Sequence, residues 1–199
     1  GMGFGKYPHY KVKMQSWPWL LTRTRDCRIF QEKTGDDIIK EILNEAGFSD
    51  VKWTVSQTPV TREYCVQYRE TDWDFIRRLL EEEGRFFYFD YSGGKDLLSI
   101  CDDSAGLRPI EGEAKIELVD KEAGQRSEID YIDNWKDGYR VDTDKVTLDD
   151  YDFKKSKTGL SGTRQDKAQK YEVFDYPGRY LEAAEGTRFA KLRMESIIA

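Results

Sequence analysis

Two threonines, Thr34 and Thr71, open the same pattern 37 residues apart, and this repeat constrains the fold more than any other feature of the chain. After each, acids stand at +3 (Asp37, Asp74) and +11 (Glu45, Glu82), apolar pairs at +4/+5 and +8/+9, and glycine at +13 (Gly47, Gly84). A hydroxyl cap, an acid three residues on, an apolar stripe at helical spacing and a terminating glycine predict a short amphipathic helix at both places. The stripes are Ile38, Ile39, Ile42, Leu43 and Ala46 in the first, and Phe75, Ile76, Leu79 and Leu80 in the second. Strand-like runs flank each: Cys27 to Gln31 and Val51 to Ser56, then Arg62 to Arg69 and Arg85 to Tyr91. The alternation Tyr64, Val66, Tyr68 marks a half-buried strand. A strand–helix–strand unit therefore occurs twice, although any capped helix that stops at glycine would give the same echo without duplication.

After Tyr91 the texture becomes mostly β. Ser92, Gly93 and Gly94 predict a hairpin turn, and further strands are expected at Ala114 to Val119, Glu128 to Trp135, Tyr139 to Val141 and Val146 to Leu148. Lys154 to Lys170 reads as a mobile polar loop, YEVF runs into a turn at Tyr176, Pro177 and Gly178, and a last helix begins near Glu182 or Gly186 and runs to Ile198. The fold class is α+β, with mixed strands and two or three short amphipathic helices.

Composition removes several classes of function. The chain has 199 residues and a net charge of −6, with 35% charged and 14% aromatic residues, so a folded chain with a real core is expected rather than a disordered one. Nothing approaches the roughly 18 apolar residues of a spanning helix, and GMGFGKYPHY has no charged region leading into an apolar run, so no secretory signal is expected. Cys27, Cys65 and Cys101 are far apart and odd in number, which predicts buried, reduced thiols and no disulfide framework. The single histidine, His9, would have to carry any His-based zinc site or triad alone. Basic residues interleave with acids, as where Arg77 and Arg78 run into Glu81, Glu82 and Glu83, so no nucleic-acid partner is expected. There is no phosphate-loop motif.

The acids form pairs that a glycosidase could use: Glu81/Glu82/Glu83, Asp102/Asp103 and Asp149/Asp150. The glutamates fall on the polar side of a helix, where a solvated face is expected, and Asp102 and Asp103 precede a Ser–Gly turn. Trp17 and Trp19 flank Pro18 and would share one side of an extended segment, as a sugar platform, an interface anchor or core. The residues supply no nucleophile, tuned base and oxyanion donor together. No catalytic, cofactor-binding or metal-ligating residue is assigned, and neither an enzyme nor a cofactor is expected.

Four strings stand out: WLLTRTRDCRIFQ (Trp19 to Gln31), REYCVQYRETDWDFIRRLLEEEGRFFYF (Arg62 to Phe89), DYDFKK (Asp150 to Lys155) and YEVFDYPGRY (Tyr171 to Tyr180). Together they resemble the VgrG spike-protein family of type VI secretion systems. The resemblance covers about Gln15 to Glu195 and implies a phage baseplate-hub-like chain with partial β-barrels. Residues 1–24 would end a first tube-forming barrel, and 25–110 would hold the two strand–helix–strand units. Residues 111–180 would be mainly β with the loop near 154–170, and 181–199 would begin a following helical or barrel segment. The role implied is structural: linking the secreted tube to the puncturing needle. Relative to the family, the chain lacks most of the first barrel, the OB-type barrel, the needle and any C-terminal effector extension. The resemblance implies a homotrimer in the full protein, seated on the hexameric hemolysin-coregulated tube protein. Needle-tip protein and effectors would attach through other parts. Assembly would occur in the bacterial cytoplasm, with export through the type VI apparatus without a signal peptide. A phage tail baseplate hub is the alternative, and a carbohydrate-active or carbohydrate-binding domain a more distant one.

Overall fold

A computed structural model describes residues 10–107, 115–119, 131–166 and 171–198, and its contacts divide the chain into two compact units, Gly1–Asp102 and Asp103–Ala199. His9, Ala114 and residues 128–130 and 167–170, on which some of the expectations above fall, lie outside the described residues.

In the first unit a single helical turn, α1 (Pro18–Leu21), precedes β1 (Arg25–Thr34), α2 (Gly35–Glu45), β2 (Val51–Thr54), β3 (Thr61–Thr71), α3 (Asp72–Glu82), β4 (Phe86–Asp90) and β5 (Leu97–Cys101). Both repeated helices form where the caps require. The Thr34 hydroxyl accepts from the Asp37 amide at 3.2 Å and the Asp37 carboxylate accepts from the Thr34 amide at 3.4 Å, a reciprocal capping box. At Thr71 the hydroxyl accepts from the Asp74 amide at 3.1 Å and donates to its carboxylate at 2.7 Å. Each helix ends on a glycine in the left-handed region, Gly47 at φ 80° and Gly84 at φ 69°. Just beyond, Phe48 donates to the Leu43 carbonyl and Arg85 to that of Leu80, which closes both last turns.

The strands form two small sheets. β1 and β3 pair antiparallel from Arg25↔Thr71 to Thr34↔Thr61, with a bulge that places Arg69 at positive φ. β5 lies between β2, to which it is parallel, and β4, to which it is antiparallel through the Ser92–Gly94 turn. The helical stripes Ile38, Ile39, Ile42, Leu43, Phe75, Ile76, Leu79 and Leu80 join Phe30, Cys65, Leu98 and Ile100 in one core, with Phe30 and Phe75 at 5.8 Å.

The second unit holds two short parallel strands, β6 (Glu117–Leu118) and β7 (Tyr131–Ile132), and a three-stranded sheet ordered β10–β8–β9. Its members are β8 (Lys145–Leu148), β9 (Gly162–Gln165) and β10 (Glu172–Asp175), with β10 parallel and β9 antiparallel to β8. The helix α4 (Ala183–Ile198) covers this sheet, burying Ala190 and Met194 against Val146, Leu148, Leu160 and Tyr180. Its approach is set by glycines: a Cβ on Gly162 would collide with the backbone of Gly186 and Thr187, and one on Gly186 with the Tyr180 ring.

Three expectations are corrected here. The stretch expected as loop through 154–170 contains β9, because Gly162 lets the chain lie directly under α4 and pair with β8. Tyr139–Val141 is irregular and pairs with no strand among the described residues. Ser16–Leu21 is not extended; Pro18, whose ring fixes φ, opens the helical turn of α1. β3 is the half-buried strand its alternation predicts, with Cys65 and Gln67 buried and Tyr64 and Tyr68 facing outward.

Candidate functional site

The acids that sequence offers for chemistry are taken up by structure. Glu81 is exposed, but Glu83 is 3% exposed, so the expected solvated face fails there. The reason is Arg62, which crosses from β3 to reach Glu82 at 2.5 Å and Glu83 at 2.9 Å. Arg78 spans Glu70 at 2.5 Å and Glu82 at 3.2 Å, and also donates to the Val66 carbonyl. Buried Arg85, just past α3, pairs with Asp36 in the first turn of α2. At the opposite end of the helix pair, Arg28 of β1 meets Glu45 at the end of α2 and Asp72 at the start of α3, and the buried amide of Gln67 donates to Asp72 at 2.8 Å. Each end of the pair thus has an acid at one helix C-terminus, an acid at the other N-terminus, and arginines between.

Asp102 and Asp103 act as turn formers, as expected. Burial alone would raise the Asp102 carboxyl, but donors from the Gln57 and Ser56 backbones, at 2.7 and 2.8 Å, outweigh it and hold its pKa below the ordinary value. Asp103 caps the following turn through the Ala105 amide. Asp149 and Asp150 likewise bond local backbone, the amides of Asp150 and Tyr151, and Asp150 also receives the Arg179 amide at 2.6 Å. None of these pairs faces another across an open site. Of the thiols, Cys65 and Cys101 are buried, and burial pushes both pKa values up; Cys27 lies on the outer face of β1 and is exposed, which corrects the expectation for it.

In the first unit, two surfaces gather apolar groups left for contact. One is the outer face of the β1–β3 ribbon, where Ile29 (62% exposed) opposes half-buried Val66, and Cys27 and Gln31 oppose Tyr68 (63%) and Tyr64 (56%). The other is a cleft of about 420 Å³ between the segment before α1, α1 itself, α3 and β4. Met14, Pro18, Trp19, Trp73, Phe87 and Phe89 give its apolar lining; Gln15, Ser16 and Thr22 give its polar lining. Trp73 meets Phe87 edge-on at 5.1 Å. The two tryptophans of SWPWLL separate: Trp17 stacks on Phe48 at 4.3 Å and donates to the Asp96 carbonyl, whereas Trp19 stays at the surface beneath Arg23. Sequence reading did not find this cleft, because its walls come from three separated stretches and only the Pro18 turn points Trp19 into it.

Comparison with known proteins agrees with this arrangement of packed helices and small sheets. The sequence profile of the phage tail baseplate hub (GPD) family matches residues 2–198. The type VI secretion system spike protein VgrG1a of Pseudomonas aeruginosa is 37% identical over 201 aligned residues, covering 99% of this chain and 31% of that protein. The actin cross-linking toxin VgrG1 of Vibrio cholerae is 34% identical, covering 88% of this chain and 16% of its own length. The chain thus spans less than a third of the curated relatives it matches. In fold it is similar to the 43 kDa tail protein of prophage MuSo2 from Shewanella oneidensis, with a TM-score of 0.51 over 92% of this chain and 53% of that one, at 17% identity. With a family profile matched across nearly its whole length, the chain belongs to the phage tail baseplate hub (GPD) family.

Proposed function

We propose that this chain is a structural part of a type VI secretion spike, in the adaptor that links the secreted tube to the needle, and that it catalyses no reaction. The observation that carries this reading is the 37% identity to a spike protein over 99% of the chain. The chemistry of the acids supports it: Glu82, Glu83, Asp72 and Asp36 serve as ion-pair partners inside the first unit, so they are held by arginines rather than free to act on a substrate. A hub must keep its shape under load, and packed cores with tied charges supply stiffness. The toxin activity in the name of the Vibrio relative is not extended to this chain, which covers only 16% of that protein.

The whole protein would be a homotrimer that docks on the hexameric hemolysin-coregulated tube protein and carries needle-tip protein and effectors on its other parts. It would assemble in the cytoplasm and leave through the type VI apparatus; no helix among the described residues is long and apolar enough to cross a membrane. The test is light scattering of the full-length protein, followed by pull-down of tube-protein hexamers. A trimer that retains the tube ring is expected; a monomer that binds no ring would overturn the assignment. A phage baseplate hub is the second reading, favoured by the family profile and by the fold of the prophage tail protein. Neighbouring genes separate the two, since a hub would lie among tail genes.

A further inference from the structure

Two arginines stand beside the cleft at Trp19, and unlike Arg28, Arg62, Arg78 and Arg85 they enter no ion pair among the described residues. Arg23 lies over the Trp19 ring at 4.5 Å and donates only to the Thr22 hydroxyl, and exposed Arg77 stands one turn along α3 from Trp73, on the same helix face. The Asp74 carboxylate, three residues before Arg77, takes the Thr71 hydroxyl, and Asp26, three after Arg23, pairs with Arg28; exposed Glu81, one turn beyond Arg77, forms no ion pair with it among the described residues. In a chain of net charge −6, the aromatic cleft thus has two guanidinium groups at its side that enter no ion pair among the described residues.

We propose that this cleft is a docking site for an acidic peptide segment that carries a large apolar side chain. The apolar anchor would enter between Trp19, Trp73 and Phe87, where aromatic walls give contact area at low entropic cost. Flanking carboxylates would meet Arg23 and Arg77, and the planar guanidinium fork suits bidentate pairing with a carboxylate. A sugar suits the cleft less well. Its hydroxyl groups are engaged internally, Ser16 with the Tyr91 hydroxyl at 2.8 Å and Thr22 with the Trp19 carbonyl at 2.7 Å. The cleft would serve in this way within a spike or in any other assembly.

The test is fluorescence polarisation on the 199-residue chain with a labelled peptide in which glutamates flank a central Leu-Phe pair. Two controls replace the glutamates by lysine or the Leu-Phe pair by Gly-Ser. Saturable binding of the acidic apolar peptide alone is expected, weakening as salt screens the charges. Arg23→Glu and Arg77→Glu should each weaken it by roughly ten-fold, the scale of a rim charge reversed. Lys40→Glu, which alters a cation over Trp53 away from the cleft, should leave it unchanged. Circular dichroism would verify that every variant is folded. Equal binding of the lysine or Gly-Ser peptides, no binding at all, or indifference to both arginine reversals in folded protein would each overturn the proposal.

Discussion

Glu83 shows how far one residue's role can depend on a partner distant in sequence. On its helix alone it is a polar residue in a run of three acids; Arg62 makes it part of the interior. Removing one member of a buried pair leaves the other charge unsolvated, at a cost of about 3–5 kcal/mol. Arg62→Ala is therefore expected to lose stability on that scale in urea unfolding, and a change below about 1 kcal/mol would show that water replaces the guanidinium at little cost. Asp102 gives a pH signature. Its folded pKa lies below the ordinary 3.8 because the Ser56 and Gln57 donors outweigh burial, so its contribution is full above that value and is lost as pH falls through the lower, folded one. Asp102→Asn should accordingly be less stable than the parent at neutral pH, and the gap should close on acidification below about pH 4. A gap that persists unchanged at low pH would assign the effect to shape rather than charge.

At the scale of elements, the pieces legible in sequence are those built from local chemistry. The capped helices α2 and α3 and the β4–β5 hairpin follow from hydroxyl caps, positive-φ glycines and apolar spacing within a few residues of one another. Leu79 is fully buried at the centre of the α3 stripe, so Leu79→Ala should cost about 2–5 kcal/mol; an unchanged melting temperature would mean that the stripe is not core. What sequence missed depends on distant contacts. The polar composition of 154–170 gave no hint of β9, whose place comes from the close approach of Gly162 to Gly186. Gly186→Ala helps a helix by propensity, by up to about 1 kcal/mol, yet it drives a methyl group into the Tyr180 ring. The clash is expected to win, with a lower melting temperature and a changed near-ultraviolet signal from Tyr180; a stabilised protein would show that the ring moves aside freely. Trp19 was legible as an aromatic worth weighing, but its cleft was not, since Trp73 and Phe87 arrive from elsewhere in the sequence.

For the whole molecule, two units with separate cores imply separate responses to damage. Hydrogen exchange read along the chain should show Leu79→Ala weakening protection across β1 to β5 and sparing β8 to β10, with Gly186→Ala giving the converse. Protection lost across both units by either change would mean that they fold as one. Composition pointed to a folded, acidic chain, and the family-like strings pointed to its lineage. The sequence reading set a boundary at 110/111, eight residues past the division at Asp102, because no glycine- or proline-rich linker marks the point itself. Within the first unit the repeated halves are tied crosswise: Arg28 joins the end of α2 to the start of α3, while Arg85, just past α3, pairs with Asp36 in the first turn of α2. Each half therefore lends one arginine to an acid of the other, Arg28 to Asp72 and Arg85 to Asp36. A nick in the connection between Thr54 and Thr61 should leave two fragments that reassociate into a native-like unit on mixing, while either fragment alone stays unfolded. On that outcome the two halves are complementary parts of a single fold rather than two folds in series.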